Sequence, residues 1–409
     1  MRAWMTTDTP QLPGRGGGRV LVHDTLTGQL QPAGPAEGVA RLYACGITPY
    51  DATHLGHAAT YVAVDLLYRA WLDAGLEVRY AQNITDVDDP LLDRATATGV
   101  AWADLAEQQI ELYRTDMAAL RVLPPEPFTG VVESLDLVTD LISVLHDEQA
   151  VYQVPDPEYP DWYFSVTKAS NLMDGTGISL LEAEEVFAER GGDPERPGKR
   201  HRLDCLVWRM ERPGEPAWDS WLGRGRPGWH IECTAIALDA LGSDFDVQAG
   251  GSDLSFPHHP MCAAEARVAT GQEFAKVFLH TGMVALDGKK MSKSLGNLVF
   301  VSRLLADGTD PMAIRLALLA HHYRSDWEYT AGALEEAEAR LNRWRTAVAA
   351  GSGPDATATI DAVRTHLRHD LDAPLALTAI DEWAAATGTD TAAPGQIRDL
   401  ADALLGIAL

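Results

Sequence analysis

Between residues 38 and 85 the chain switches between two hydrophobic periods, and that switch confines it to a parallel α/β fold. Residues 38–44 read as a strand. From Leu55 to Ala74 the apolar residues Leu55, Ala59, Val62, Leu66, Leu67 and Ala70 recur at helical spacing, and Gly75 stops the run. Residues 78–85 then read as a second strand. Strand, glycine-containing turn, helix and strand make one parallel unit. Ligand-binding residues are expected at the carboxyl ends of such strands.

The rest of the 409 residues extends this pattern, and the length predicts two or three domains. Residues 1–18, rich in Pro, Gly and Thr, read as a flexible N-terminal arm, and 19–23 as a strand leading into a turn. Helices are expected near 101–119 and 131–148, and residues 155–198 are rich in turns and charge. A strand at 202–209, a helix at 231–241 and a strand at 245–250 follow. After Pro311 the pattern is helical at 312–321, 331–350, 360–369, 374–386 and 394–405. The expected division is an arm at 1–18, a catalytic domain at 19–310 with an insertion near 120–200, and a helical domain at 311–409.

Composition narrows the partners. A formal charge of -26 repels phosphate backbones over most of the surface, which makes large nucleic acids poor candidates. No apolar stretch approaches membrane-spanning length and no signal-type h-region is present, so a cytoplasmic location is expected. Four cysteines, Cys45, Cys205, Cys233 and Cys262, are too few and too widely spaced for a disulfide scaffold. Of the six lysines, Lys289, Lys290 and Lys293 fall together.

That lysine cluster and the start of the first helix carry the chemistry. His54 and His57 lie where unpaired backbone N–H groups favour an anion, with Gly56 allowing close approach of a phosphate or an adenine ring. Lys290-Met291-Ser292-Lys293-Ser294, flanked by Gly288 and Gly296, can gather ammonium groups around a triphosphate and open again. Taken singly, the histidines read as caps and the lysines as a solvated turn. Together they suit ATP used as an adenylate donor. The chain has no phosphate-binding P-loop and no dinucleotide Gly-x-Gly-x-x-Gly, which argues against γ-phosphate transfer and nicotinamide chemistry.

Cys45 ends a core strand, Cys233 lies just inside a helix, and His258 follows Ser255-Phe256-Pro257. Two thiolates and an imidazole from separate strand ends make a zinc set with room for an exogenous ligand; spacing alone fits core packing equally well. Zinc takes a cysteine thiolate in preference to the harder serine hydroxyl. Cys262, four residues after His258, fits either a fourth ligand or a small buried hydrophobe.

The chain resembles the cysteinyl-tRNA synthetase family of class I enzymes, and more closely the mycothiol-pathway ligases that join cysteine to glucosaminyl-inositol. His54-Leu55-Gly56-His57 is similar to the HIGH element and residues 290–294 to KMSKS, with 83–89 and Gly228-Trp229-His230-Ile231-Glu232-Cys233 also matching. Cys45-Gly46-Ile47-Thr48-Pro49, Asp89-Pro90 and 189–194 resemble the ligases rather than the tRNA enzymes. The resemblance implies a class I synthetase-type Rossmann-like parallel sheet with an insertion and a C-terminal helical domain, acting as a monomer. It implies Mg-ATP and L-cysteine as substrates, cysteinyl-adenylate as intermediate and glucosaminyl-inositol as acceptor. His54, His57, Lys290 and Lys293 would serve catalysis, and Cys45, Cys233 and His258 would hold zinc. Cys45, Gly46, Ile47, Thr48, Thr60, Asn83, Ile84, Thr85, Trp229, Gly251, Ser252, Asp253 and Val284 would bind the adenylate. The alternative is a divergent cysteinyl-tRNA synthetase, for which the lysine-free, acidic tail at 331–409 is a poor RNA surface.

Overall fold

A computed structural model describes the chain except Thr6, Thr7, Arg15, Ala52, Ser170, Asn171, Asp174, Asp287 and residues 292–295, and gives Lys290 by its backbone. It opens on an antiparallel hairpin, β1 (Val20–Asp24) and β2 (Gln29–Ala33). The expected unit follows as β3 (Val39–Ala44), helix α1 (Leu55–Asp73) and β4 (Glu77–Ile84), with β3 and β4 parallel and Leu42 opposite Tyr80. Helices α2 (Asp89–Thr98) and α3 (Trp102–Ala119) lead to β5 (Phe128–Gly130) at the edge beside β4.

After α4 (Leu135–Asp147) comes an inserted antiparallel sheet of β6 (Val151–Gln153), β7 (Trp162–Phe164), β8 (Cys205–Met210) and β9 (Gly225–Pro227), with α5 (Leu180–Glu189) between β7 and β8. The strand expected at 202–209 therefore belongs to the insertion and not to the parallel sheet. The chain returns through α6 (Trp229–Leu241), β10 (Phe245–Gly251), α7 (His258–Thr270) and β11 (Ala275–Thr281). Among the described residues the core sheet runs β11-β10-β3-β4-β5, every pair parallel. β3 is its switch point: the chain leaves β3 toward β4 on one side and later returns to β10 on the other. In folds of this kind ligands bind at such a point, outside the carboxyl ends of the strands.

A small sheet of β12 (Val284–Leu286), β13 (Lys289–Lys290) and β14 (Trp327–Glu328) carries the lysine loop. Helices α8 (Val301–Ala306) and α9 (Pro311–Leu319) join it to α10 (Ala331–Ala349), α11 (Thr357–Arg368), α12 (Ala373–Ala385) and α13 (Ala393–Leu405). Asp310 caps α9 with Pro311 in its first turn, and Asp372 caps α12 in the same way. One hydrophobic cluster runs from β1 through α1 and the sheet into α9–α13. A second lies under the insertion, around Phe164, Val207, Trp208 and Ile231. The first residues differ from the loose arm that composition predicts. Trp4 is buried, donates from Nε1 to Val122 O at 2.7 Å and packs edge-on against Tyr113 and Phe128. An indole of that size supplies enough apolar area to seat the segment.

Helix α1 is buried over most of its circumference, between sheet and tail helices, and it carries Asp65 into that interior. Asp65 accepts from Arg69 Nε at 2.7 Å and Leu123 N at 2.8 Å, and pairs with Arg315 of α9. Arg315 also donates to Leu120 O and Leu405 O, and Arg69 to Arg121 O and Asp402 O. Burial opposes the Asp65 charge, but Arg69 and Arg315 outweigh it and hold the carboxyl below its ordinary range. Burial likewise draws Arg315 down to about 10. Asp65→Asn would leave two buried guanidinium groups without a counter-charge, and a loss of about 3–5 kcal/mol is expected in urea unfolding at neutral pH. Because the folded-state pKa is depressed, this contribution is present above the ordinary carboxylate pKa and fades as pH falls through the folded value. The gap between variant and wild type should therefore narrow in acid. Equal urea midpoints at neutral pH would remove Asp65 from its assigned place.

Candidate active site

Three side chains meet at the switch point. Cys45 follows β3 directly, its N–H bonded to Ala249 O of β10 at 3.1 Å. Cys233 sits in the first turns of α6, and His258 opens α7. Their ligand atoms all lie within 4.8 Å of one another and all three residues are buried. A hydrogen bond from Cys45 draws the Cys233 thiol down despite its burial, with His258 adding to the effect. Burial and the neighbouring Cys233 push Cys45 and Cys262 up. A poised thiolate, a second thiol and an imidazole are the donors a soft divalent ion such as zinc requires, so the residues fit the metal the sequence implies. Cys262 lies beside this set, with Sγ 3.8 Å from His258 Nε2 and 3.4 Å from His230 O.

The donors are held from behind. His258 Nδ1 lies 3.0 Å from His230 Nδ1, and the His258 ring packs against Trp229 with centroids 4.3 Å apart. Cys45 Sγ lies 3.3 Å from His259 Nε2; His259 Nδ1 meets His280 Nε2 at 2.8 Å, and His280 Nδ1 meets Thr25 Oγ1 at 2.8 Å. Burial depresses His230 and His259 and takes His280 to about 3, so these imidazoles are neutral donors and acceptors. Outer partners of this kind fix ligand orientation and tautomer.

The second group is a polar floor at the ends of β3 and β4. Asn83 Oδ1 accepts from Gly46 N at 2.8 Å and from Tyr43 O–H at 3.0 Å, while Asn83 Nδ2 donates to Thr85 Oγ1 at 3.2 Å. Thr85 N in turn donates to Ile47 O at 3.1 Å. Ile84 is fully buried beneath, and Thr48 O accepts from Tyr50 N. Thr60 of α1 bonds Thr281 of β11 at 2.7 Å between hydroxyls. Gly251 ends β10 and Ser252 and Asp253 begin the turn after it, and Arg190 of the insertion donates to the carbonyls of Asp253 and Phe256.

The third group lies at the head of α1. His54 is the N-cap, its Nδ1 accepting from Gly56 N at 3.1 Å and His57 N at 3.4 Å, and its ring stacks on His57 at 3.8 Å. Phe300 pairs antiparallel with His54 across Leu55 N to Val299 O at 2.9 Å and Val301 N to Thr53 O at 3.0 Å. The histidine turn is thus fastened to the segment that returns from the lysine loop. Lys290 lies in β13 opposite Ala285, and Val284 O accepts from Met291 N at 3.1 Å. Lys293 falls outside the described residues.

Sequence reasoning missed Tyr43, His230, His280 and Thr281. Tyr43 precedes Cys45 by two and shares its strand face, a signal legible in the period of a β-strand. The other three gain their place only through long-range contacts. Asp88 caps α2 through Asp89 N at 2.8 Å, and burial raises it to about 6.

With this geometry in view, residues 33–339 match the family described as "tRNA synthetases class I (C) catalytic domain". The chain belongs to that class I family, and within it to a group of amide-forming ligases. It is 58% identical over the whole of both chains to the L-cysteine:1D-myo-inositol 2-amino-2-deoxy-alpha-D-glucopyranoside ligase of Thermobispora bispora, and 56% identical, again over both whole chains, to that of Nocardiopsis dassonvillei. Its fold is shared with Mycobacterium tuberculosis methionyl-tRNA synthetase bound by methionyl-adenylate, at a TM-score of 0.61 and 18% identity, covering 90% of this chain and 92% of that one.

Gly46 is the tightest point of the floor. A Cβ there would stand 1.6 Å from Asn83 O and 2.6 Å from its carbonyl carbon, both backbone atoms. Gly46→Ala should therefore force β3 and β4 apart at their ends, costing about 1–3 kcal/mol or more of stability and breaking the Gly46–Asn83 bond. Thermal unfolding together with cysteine binding checks this. A variant with wild-type melting and binding would contradict the close approach.

Proposed function

We infer that this chain is an ATP-dependent, AMP-forming ligase that joins L-cysteine to the amine of glucosaminyl-inositol through cysteinyl-adenylate, as in mycothiol biosynthesis. Full-length identity of 56–58% with ligases of that name carries the reading. The ionised carboxylate of cysteine attacks the α-phosphorus of Mg-ATP, and pyrophosphate leaves. A carboxylate needs no base for this, so the protein contributes alignment and charge stabilisation.

The site residues take the following parts. His54 and His57, at the positive end of α1, contact the ATP phosphates as charge shifts to the leaving group. Lys290 and Lys293 close over pyrophosphate. Gly46, Ile47, Thr48, Thr60, Asn83, Ile84, Thr85 and Trp229 enclose the cysteinyl part of the adenylate; Gly251, Ser252, Asp253 and Val284 enclose the nucleoside. Cys45, Cys233 and His258 hold zinc, which when bound selects the substrate by its sulfur. In the second step the neutral amine of the sugar attacks the activated carbonyl, forms the amide and releases AMP.

Two observations favour a small acceptor over tRNA. The protein carries a charge of -26. The arginines of the tail are also engaged internally: Arg340 with Asp381, Arg343 with Glu336, Arg345 with Asp310, Arg364 with Asp73, and Arg368 and Arg398 with backbone carbonyls. Among the described residues no helix is long and apolar enough to cross a membrane. A monomer acting in the cytoplasm completes the reading.

Mass spectrometry of products formed from ATP and cysteine with glucosaminyl-inositol or with cysteine-specific tRNA tests the acceptor. The amide is expected from the sugar and no acylated tRNA; acylation of tRNA alone would overturn the reading. Stripping the metal with a chelator is expected to lower cysteine affinity and to erode a preference over serine of order 10⁴. Intact selectivity in metal-free protein would remove Cys45, Cys233 and His258 from this part. His57→Ala should slow cysteine-dependent pyrophosphate exchange by about 10²-fold or more at unchanged melting temperature. Undiminished exchange would reassign that histidine.

A further inference from the structure

Beneath the histidine turn lies a buried polar pair that the reading above leaves unused. Asp116, in the last turns of α3, and Thr53, immediately before His54, are both fully buried. Burial pushes the Asp116 carboxyl up to about 7, and the neighbouring Thr53 hydroxyl opposes that rise. The two groups face one another, yet neither carboxyl oxygen nor Thr53 Oγ1 completes a well-aligned hydrogen bond. Leaving a buried polar group unsatisfied costs about 1–3 kcal/mol, and a native structure that retains two side by side calls for a reason.

Their position supplies one. Thr53 O is the acceptor for Val301 N at 3.0 Å, in the antiparallel bridge that fastens the histidine turn to residues 299–301. α8, which begins at Val301, packs against α3, the helix that carries Asp116. Thr53 is therefore the joint between three pieces: the head of α1, the segment returning from the lysine loop, and α3. Hydrogen bonds of a catalytic site are often long before substrate binds and tighten in the substrate complex.

We propose that Asp116 is a positioning residue for the adenylation step, closing onto the Thr53 hydroxyl when ATP binds and so fixing His54 and His57 relative to residues 299–301. The pair touches no substrate. Its effect falls on the ATP phosphates, because the turn it holds carries the histidines, and less on the cysteine pocket, whose floor is built at the ends of β3 and β4 and which α1 reaches through Thr60, beyond the histidine cap. This inference rests on the adenylate-forming reading.

The test uses the full, zinc-loaded chain. Asp116→Ala and Thr53→Val are each expected to raise KM for ATP in cysteine-dependent pyrophosphate exchange by about tenfold, the effect of losing roughly one buried hydrogen bond, while KM for cysteine stays within about twofold. The double variant should be no worse than either single one, since both remove the same contact. Asp116→Asn, whose amide still reaches the hydroxyl, should restore KM for ATP to within about threefold of wild type. Equal losses for ATP and cysteine, losses that multiply in the double variant, or an Asn variant as impaired as Ala while melting like wild type would each overturn the proposal. Calorimetric ATP binding without cysteine gives an independent readout. Wild-type protein that binds ATP but exchanges no pyrophosphate would defeat the ligase reading. The binding differences among the variants would still decide the role of Asp116.

Discussion

One carboxylate, Asp65, determines how the active-site helix sits. It is buried with Arg69 on its own helix and Arg315 on α9, and the two guanidinium groups extend the hold to carbonyls at Leu120, Arg121, Asp402 and Leu405. Such a cluster is a poor source of net stability, since desolvating three charges offsets most of their attraction. Its value is directional. Apolar packing alone would let α1 slide or rotate by a fraction of a turn at small cost, whereas charged groups with fixed hydrogen-bond vectors accept one arrangement. The head of that helix presents His54 and His57, so precision in the core becomes precision in where those two imidazoles stand.

The parallel sheet solves a second positioning problem. The metal donors lie far apart in sequence, at residues 45, 233 and 258, and no local motif could bring them together. The strand order places β3 and β10 side by side, and the helices that flank β10, α6 before it and α7 after it, deliver Cys233 and His258 to the end of β3. The histidine chain behind Cys45 and the His230 contact behind His258 then remove the freedom that the donors would otherwise have. Rigid donors matter because the outer partners of a ligand set fix its orientation and tautomer.

What the sequence revealed, and what it hid, follows the range of the forces involved. The helix from Leu55, the strands flanking it and the tail helices were legible because each is an amphipathic or apolar period with local stop signals such as Gly75 and Pro311. The inserted sheet was not. β6, β7 and β9 span three residues each, too short for an alternation to register, and α5 lay hidden in a charged stretch. Trp4 illustrates the opposite failure: its neighbours have loop composition, but one indole packed on Tyr113 and Phe128 outweighs them. At the site, Cys45, Cys233, His258 and the histidines of α1 were readable by chemistry and by family resemblance. His280 and Thr281, from an edge strand, and Asp116, from a helix with no motif, act through contacts that only the fold creates.

The choice between a sugar amine and tRNA as acceptor turns on where the positive charge resides. A tRNA-binding tail needs cations free to displace counterions from a phosphate backbone. Here the tail arginines face carboxylates or backbone carbonyls, and some of those carboxylates are themselves structural: Asp310 caps α9, and Asp73 ends α1. Releasing Arg364 to a phosphate would leave the largely buried Asp73 without its partner. The cationic loop beside β13, by contrast, is attached to the histidine turn through residues 299–301. Half of the chain's six lysines thus fall at residues 289–293, whereas the tail has none and pairs its arginines within the protein. That distribution suits an enzyme whose two organic substrates are both small.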